Sequence, residues 1–199
     1  VSVRPGVRGD IQFQGGQGAV ARGAGRKAEA LVTAMDQPVG ETAGNALEIA
    51  ESVDLLRGAG PADALELALR LAVPMLTLSG AAPDAASARA LLESKLASGA
   101  ALETFARMVE AQGGDPRVAE SPESVLPQAL GGGRRAVTDA IDPAVGVSRL
   151  RKVGERVERG EPLATLHART RAEAEALVPQ VLGAFSFSDE PVAAPALVL

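Results

Sequence analysis

Residues 34–51 read AMDQPVGETAGNALEIAE, and the way this stretch changes character sets the fold. The run before it, AEALVTAM over 28–35, is short and apolar and ends on the turn signal DQPVG, which predicts a buried strand closed by a Pro-Gly turn. Asn45 then stands as a predicted N-cap with Glu48 three residues on, a capping-box spacing. Ala46, Ile49, Ala50, Val53 and Leu56 follow at helical intervals. Glu48 therefore has a capping role. Glu51 lies one turn further in, without a capping partner. Spacing alone favours a solvated helix face for it. The sharper reading turns it toward the carbonyls of the preceding loop, where a carboxylate and backbone oxygens suit a hard cation.

Outward from this stretch, Gly58 and Gly60 end the helix, and Pro61 is expected at the first position of the next, PADALELALRLAVPMLTLSG (61–80). Pro74 should kink or split that helix, because it lacks an N–H and crowds the carbonyl four residues back. Two more helices are predicted within 84–114, separated at Ser98-Gly99 and closed by Gly113-Gly114. The Pro/Gly-rich segment 115–135 reads as a linker. Beyond it KVGERVERGEPLATLHA (152–168) suggests short strands, with Gly154 and Gly160 at turns and Val153, Val157, Leu163 and Leu166 as buried anchors. A helix over 170–185 and an apolar tail complete the chain. The expected class is α/β (α+β). It comprises part of a mixed-sheet α/β domain with a helical lobe over 24–130, and a β-rich, barrel-sandwich-like unit with one helix over 131–199. Residues 1–27 carry seven glycines and read as loop, with a short strand possible at 11–14; residues 1–23 form a Gly-rich leader.

Composition narrows the functions. With no Trp, no Tyr and four Phe, the core must be aliphatic, and platforms for stacking bases are nearly absent. The net charge of -5 is spread in interleaved charges, which argues against a nucleic-acid surface. Zero cysteines and one histidine remove thiolate zinc sites, cysteine nucleophiles and histidine clusters. No apolar run approaches the ~20 residues of a membrane helix. No signal-peptide core stands at the N-terminus, so a cytoplasmic protein without membrane partners is the expectation.

Three further motifs are weaker. Gly16, Gly18 and Ala21 spell G-x-G-x-x-A, with Asp36 about where a dinucleotide fold places its ribose-binding acid, but the intervening helix would be too short and too rich in glycine. Arg134 and Arg135 follow Gly131–Gly133 and could meet an anion, although two solvated cations on a linker is the plainer reading. His167 ends an apolar run with no assignable carboxylate partner, which favours a packing or surface role.

The segment EALVTAMDQPVGETAGNALEIAESVDLLRGAGPADALELALRLA resembles the thymidine and pyrimidine-nucleoside phosphorylases. The likeness lies in Thr33–Gly40, in Gly44-Asn45-Ala46-Leu47-Glu48 and in the Gly58-Ala59-Gly60-Pro61 turn, in that order and spacing. It continues through SGAALETFARMVEAQGGDP, GGGRRAVTDAIDPAVG and VGERVERGEPLATLHA, so that roughly residues 24–188 are covered in two blocks. The resemblance implies reversible phosphorolysis of thymidine or uridine to free base and a (deoxy)ribose 1-phosphate, in a cytoplasmic homodimer paired through the helical lobe. It implies no organic cofactor. It does imply a potassium ion held by the backbone carbonyls of Val39 and Thr42 and the side chain of Glu51. The family's phosphate loop and base-gripping residues lie upstream of the matched region, so no catalytic or substrate-binding residue can be assigned, and the chain as given is expected to be inactive. Between Ala129 and Gly131 a stretch usual in the family is missing, which reads as an internal deletion. Of a different class is a non-catalytic carrier or interaction module, since residues 152–168 also resemble half of a biotinyl/lipoyl-type sandwich; such carriers present a modified lysine in a tight hairpin, whereas Lys152, the one lysine of this unit, precedes the glycine turn instead. The third alternative is an inert truncated fragment.

Overall fold

Gly44 adopts φ 138°, and a Cβ built on it would lie 2.1 Å from the Val145 carbonyl oxygen; only glycine lets these two backbones approach so closely. Helix α1, Asn45–Leu56, starts directly after it. Asn45 is thus the first helical residue rather than the cap. Glu48 does cap, but by accepting the N–H of Gly44 at 2.9 Å. The computed structural model describes residues 2–4, 23–25, 27–34, 36–126 and 145–198. The readings on residues 11–14, Gly16, Gly18, Ala21, Gly131–Gly133, Arg134 and Arg135 lie outside these.

Helix α1 buries Ala46 and Val53, the latter fully, on the face given by its i, i+7 spacing. Arg57, at its C-terminal end, donates to the carbonyls of Ala119 and Glu120 at 2.9 and 2.6 Å. These carbonyls belong to the last residue and the C-cap of a 3-10 turn, Pro116–Ala119, with Val118 and Ala119 buried. Helix α2, Ala62–Ser79, follows Pro61 as its N-cap residue. Of the expected kink or split at Pro74, the split does not occur, for the helix runs on through Pro74: one missing bond is tolerated where the helix packs along α3, Ala85–Ala97. The Thr77 hydroxyl donates to the Pro74 carbonyl at 3.2 Å. Asp84 caps α3 by accepting from Ser87 N at 2.7 Å. On the surface, Glu66 of α2 pairs with Arg70 at 2.7 Å and with Arg89 of α3 at 2.8 Å. Arg89, and then Arg70, hold the Glu66 carboxyl down at about 2. Gly99, at φ 77°, separates α3 from α4, Ala100–Ala111, as the sequence suggests. Segment 115–126 is not an open linker, since the 3-10 turn and a single helical turn, α5 (Pro122–Val125), fold within it and bury Pro122.

The β part is antiparallel. Strand β1, Ser2–Arg4, pairs with β4, Ser186–Ser188, in the register Val3↔Phe187; the leader read as loop thus contributes a strand. Strand β2, Gly146–Ser148, pairs with β3, Thr165–His167, in the register Val147↔Leu166. Of the expected strand over 28–35, the described residues show one isolated bridge, Thr33↔Val198, with Ala34 N donating to Leu197 O at 3.2 Å. Gly154 and Gly160 do turn the chain, at φ 93° and 95°, and Val153 and Val157 are buried. Helix α6, Arg171–Gly183, opens on a full capping box of Thr170 and Glu173. The mixed α/β class expected from the sequence is the one observed.

Gly44→Ala tests the close approach that fixes the start of α1. We expect it to destabilise the chain by about 2 kcal/mol or more, from a strained φ and overpacking, read as a lowered thermal melting midpoint.

Candidate functional site

The loop from Asp36 to Ala43 has no regular secondary structure, yet it is bonded along its length to segment 147–153. Ala43 and Val147 exchange two backbone hydrogen bonds of 2.8 Å, and Leu150 N donates to Glu41 O at 3.1 Å. Lys152 Nζ donates to Pro38 O at 2.5 Å and also to Gly40 O. Val153 N donates to Gln37 Oε1 at 2.8 Å. The two segments run antiparallel, so β2 is flanked by β3 on one side and by this loop on the other.

Two carboxylates from the helices hold the loop from its other side. Asp63, in the first turn of α2, accepts the N–H of Gly40 at 3.3 Å. Glu51, in α1, accepts the N–H of Glu41 through Oε2 at 2.8 Å. Gly40 has φ 74°, and a Cβ there would fall 2.0 Å from Glu51 Oε1; the turn needs glycine both for its conformation and for the space. Thr42 faces the same carboxylate, but its buried hydroxyl makes no hydrogen bond of proper geometry among the described residues. The carbonyls of Val39 and Thr42 likewise accept no backbone hydrogen bond there. Thr42 and Glu51 thus meet at one loop–helix corner, and Val39 lies in the same loop, directly before Gly40.

Burial pushes the Glu51 carboxyl above the ordinary glutamate value, while the Glu41 N–H, the adjacent Thr42 hydroxyl and the Lys152 charge pull it back. A cleft of about 490 Å³ opens beside it, lined among others by Glu41, Thr42, Asp54, Ser148 and Arg149. On the far side of the loop an apolar cavity of about 390 Å³ is walled by Pro38, Ala43, Leu150, Val181 and Phe185. Among the described residues there is no group of three or more His, Cys, Asp or Glu that could hold a metal ion.

His167 is half-buried and bonds through Nε2 to Ser148 Oγ at 2.7 Å across the strand pair, a packing role. Lys152 is the residue that sequence reading missed here, having been weighed only as a carrier lysine. Its amine is enclosed by the loop carbonyls and paired with Asp63 at 3.2 Å, whereas a carrier lysine has to present a free amine. The available signal was its position directly before the Gly154 turn, in a unit with no second lysine.

Because the folded state holds the Glu51 proton more tightly than the unfolded chain, its contribution is complete below the ordinary glutamate value and is lost as pH rises through the raised folded one. In potassium-free buffer we expect Glu51→Gln to be at least as stable as the unsubstituted chain at neutral pH. Melting curves should show that advantage shrinking as pH falls toward 4.5.

Comparison with known proteins follows the same segments. The profile of the family described as "Pyrimidine nucleoside phosphorylase C-terminal domain" matches residues 125–188, starting a few residues before the expected boundary. Proteins named pyrimidine-nucleoside phosphorylase from Staphylococcus aureus strains USA300 and NCTC 8325 / PS 47 are each 36% identical over 207 residues, covering 90% of this chain and 47% of theirs. That alignment is longer than the 199 residues of the chain, so the relatives carry positions with no counterpart here, and the chain spans about half the length of the curated relatives it matches. No helix among the described residues is long and apolar enough to cross a membrane. The chain belongs to the pyrimidine-nucleoside phosphorylase family and corresponds to its C-terminal portion.

Proposed function

We propose that this chain is the part of a pyrimidine-nucleoside phosphorylase that ties the helical region to the C-terminal domain, and that its loop corner binds a potassium ion. The parent reaction is phosphorolysis of thymidine or uridine. A phosphate oxygen forms the bond to the anomeric carbon, the carbon–nitrogen bond breaks with its electron pair leaving on the pyrimidine, and a sugar 1-phosphate results. The observation that carries this reading is the 36% identity to proteins of that name over 90% of the chain. Such a reaction needs donors for phosphate and a clamp on the base, preorganised around a transition state with developing charge. The described residues assemble neither, so the chain alone is proposed to be inactive, with nucleoside and phosphate bound only where the other half of the protein is supplied. We place the whole protein in the cytoplasm as a homodimer paired through its helical lobe, of which this chain holds only part.

The potassium reading rests on the unused oxygens: the Val39 and Thr42 carbonyls, the orphaned Thr42 hydroxyl and the Glu51 carboxylate. When bound, the ion supplies positive charge that offsets the buried carboxylate and fixes the loop. The chain's own share is to aim the carbonyls, through Gly40 and the bonds to segment 147–153, and to return Glu51 to the same corner.

With the purified chain we expect no release of thymine or uracil from thymidine or uridine in phosphate; measurable turnover would overturn the claim of inactivity. Replacing choline by potassium at constant ionic strength should raise the melting midpoint by about 2–4 °C. Glu51→Gln should abolish that rise. An equal response in the two proteins would remove Glu51 from the site.

A further inference from the structure

We propose that the Pro38–Gly40 turn together with Asp63 is a binding site for a primary alkylammonium group, filled in this chain by Lys152. An ammonium carries three N–H donors and no acceptor. At Lys152 those three donors meet three oxygens: Pro38 O at 2.5 Å, Gly40 O and Asp63 Oδ2 at 3.2 Å. The oxygens are held in place independently of the lysine. Asp63 sits in the first turn of α2 and takes the Gly40 N–H. The left-handed Gly40 turns the chain so that the carbonyls of residues 38 and 40 converge. The Lys152 side chain is 14% exposed and that of Asp63 29%. The pair thus lies largely out of water, where a matched charge binds more tightly than on the open surface and an unmatched one is costly. A planar guanidinium could not serve the three acceptors from one nitrogen.

This site is separate from the potassium reading and does not rest on it, since it uses the carbonyls of Pro38 and Gly40 while Val39, Thr42 and Glu51 are left to the other corner. Its consequence is directional. The C-terminal unit, through one lysine, reaches a turn anchored on the helical region, and any change that neutralises or enlarges the amine, acylation included, leaves the three oxygens of that turn without their partner. The ligand class is a primary ammonium on an unbranched alkyl stem, which reaches the turn beside the apolar cavity lined by Pro38, Leu150 and Val153.

The test uses the whole chain at one fixed potassium concentration, so that the Glu51 corner contributes equally throughout. Lys152→Ala should lower the melting midpoint by about 4–8 °C. Butylammonium chloride should then recover at least half of the loss, and tetramethylammonium chloride of equal ionic strength should recover none. The unsubstituted chain should respond alike to both salts. An unchanged midpoint, or equal recovery by the two salts, would overturn the proposal. A second measurement does not depend on a folded variant. In limited acetylation followed by mass spectrometry, Lys152 should react at least about tenfold more slowly than the exposed Lys27 and Lys95. Equal reactivity of the three lysines would sink the proposal by itself.

Discussion

Everything else in the structure depends on one constraint: the Asp36–Ala43 loop must satisfy its backbone polar groups without being a strand. Buried N–H and C=O groups cost free energy unless paired, and this loop pairs them with three kinds of partner. Segment 147–153 supplies backbone and side-chain bonds at Ala43, Glu41, Gln37, Pro38 and Gly40. Helices α1 and α2 each return one carboxylate to an N–H. The loop is therefore the seam where the helical region and the C-terminal unit are joined, and its geometry is set from both.

The charges at the seam are arranged by sign. Carboxylates lie against N–H groups and the ammonium lies against carbonyls, so each ion completes a dipole pattern the loop already offers. Lys152 and Asp63 complete one another through the turn. Glu51 has the Glu41 N–H, the Thr42 hydroxyl beside it and the charge of Lys152, and burial still raises its carboxyl. That imbalance at Glu51, beside an unpartnered Thr42 hydroxyl, sets this corner apart from the satisfied one around Lys152.

Much of this was legible in the sequence, and what was not has physical reasons. The glycines at 99, 154 and 160 mark turns because their positive φ is a local requirement, and Asp84 and Thr170 mark helix starts because their caps are local bonds. The cap of α1 was misplaced onto Asn45, because the need for Gly44 comes from Val145, about a hundred positions away. A split at Pro74 was one of the two outcomes expected, beside a kink, because its cost is local while the packing of α2 on α3 is not. The same holds for the strand expected before the DQPVG turn, whose pairing depended on partners that sequence periodicity does not reveal. At the site, Glu51 stood out as a carboxylate without a local role, and family likeness drew in Val39 and Thr42. Lys152 escaped notice since one of its three partners, Asp63, is far away in sequence and the other two are main-chain oxygens, which leave no mark on the side chains around them.

That last property has an evolutionary reach. A contact made through carbonyl oxygens does not depend on which side chain the residue carries, so Pro38, and Val39 and Thr42 where they offer only their backbones, are free to drift without altering the chemistry of the loop. Gly40 and Gly44 have no such freedom, each fixed by a φ and by an atom about 2 Å from where a Cβ would stand. Divergent copies of this loop should therefore keep their glycines, their carboxylates and their lysine while the residues that make the actual contacts change, so that the apparent conservation falls beside the binding atoms rather than on them.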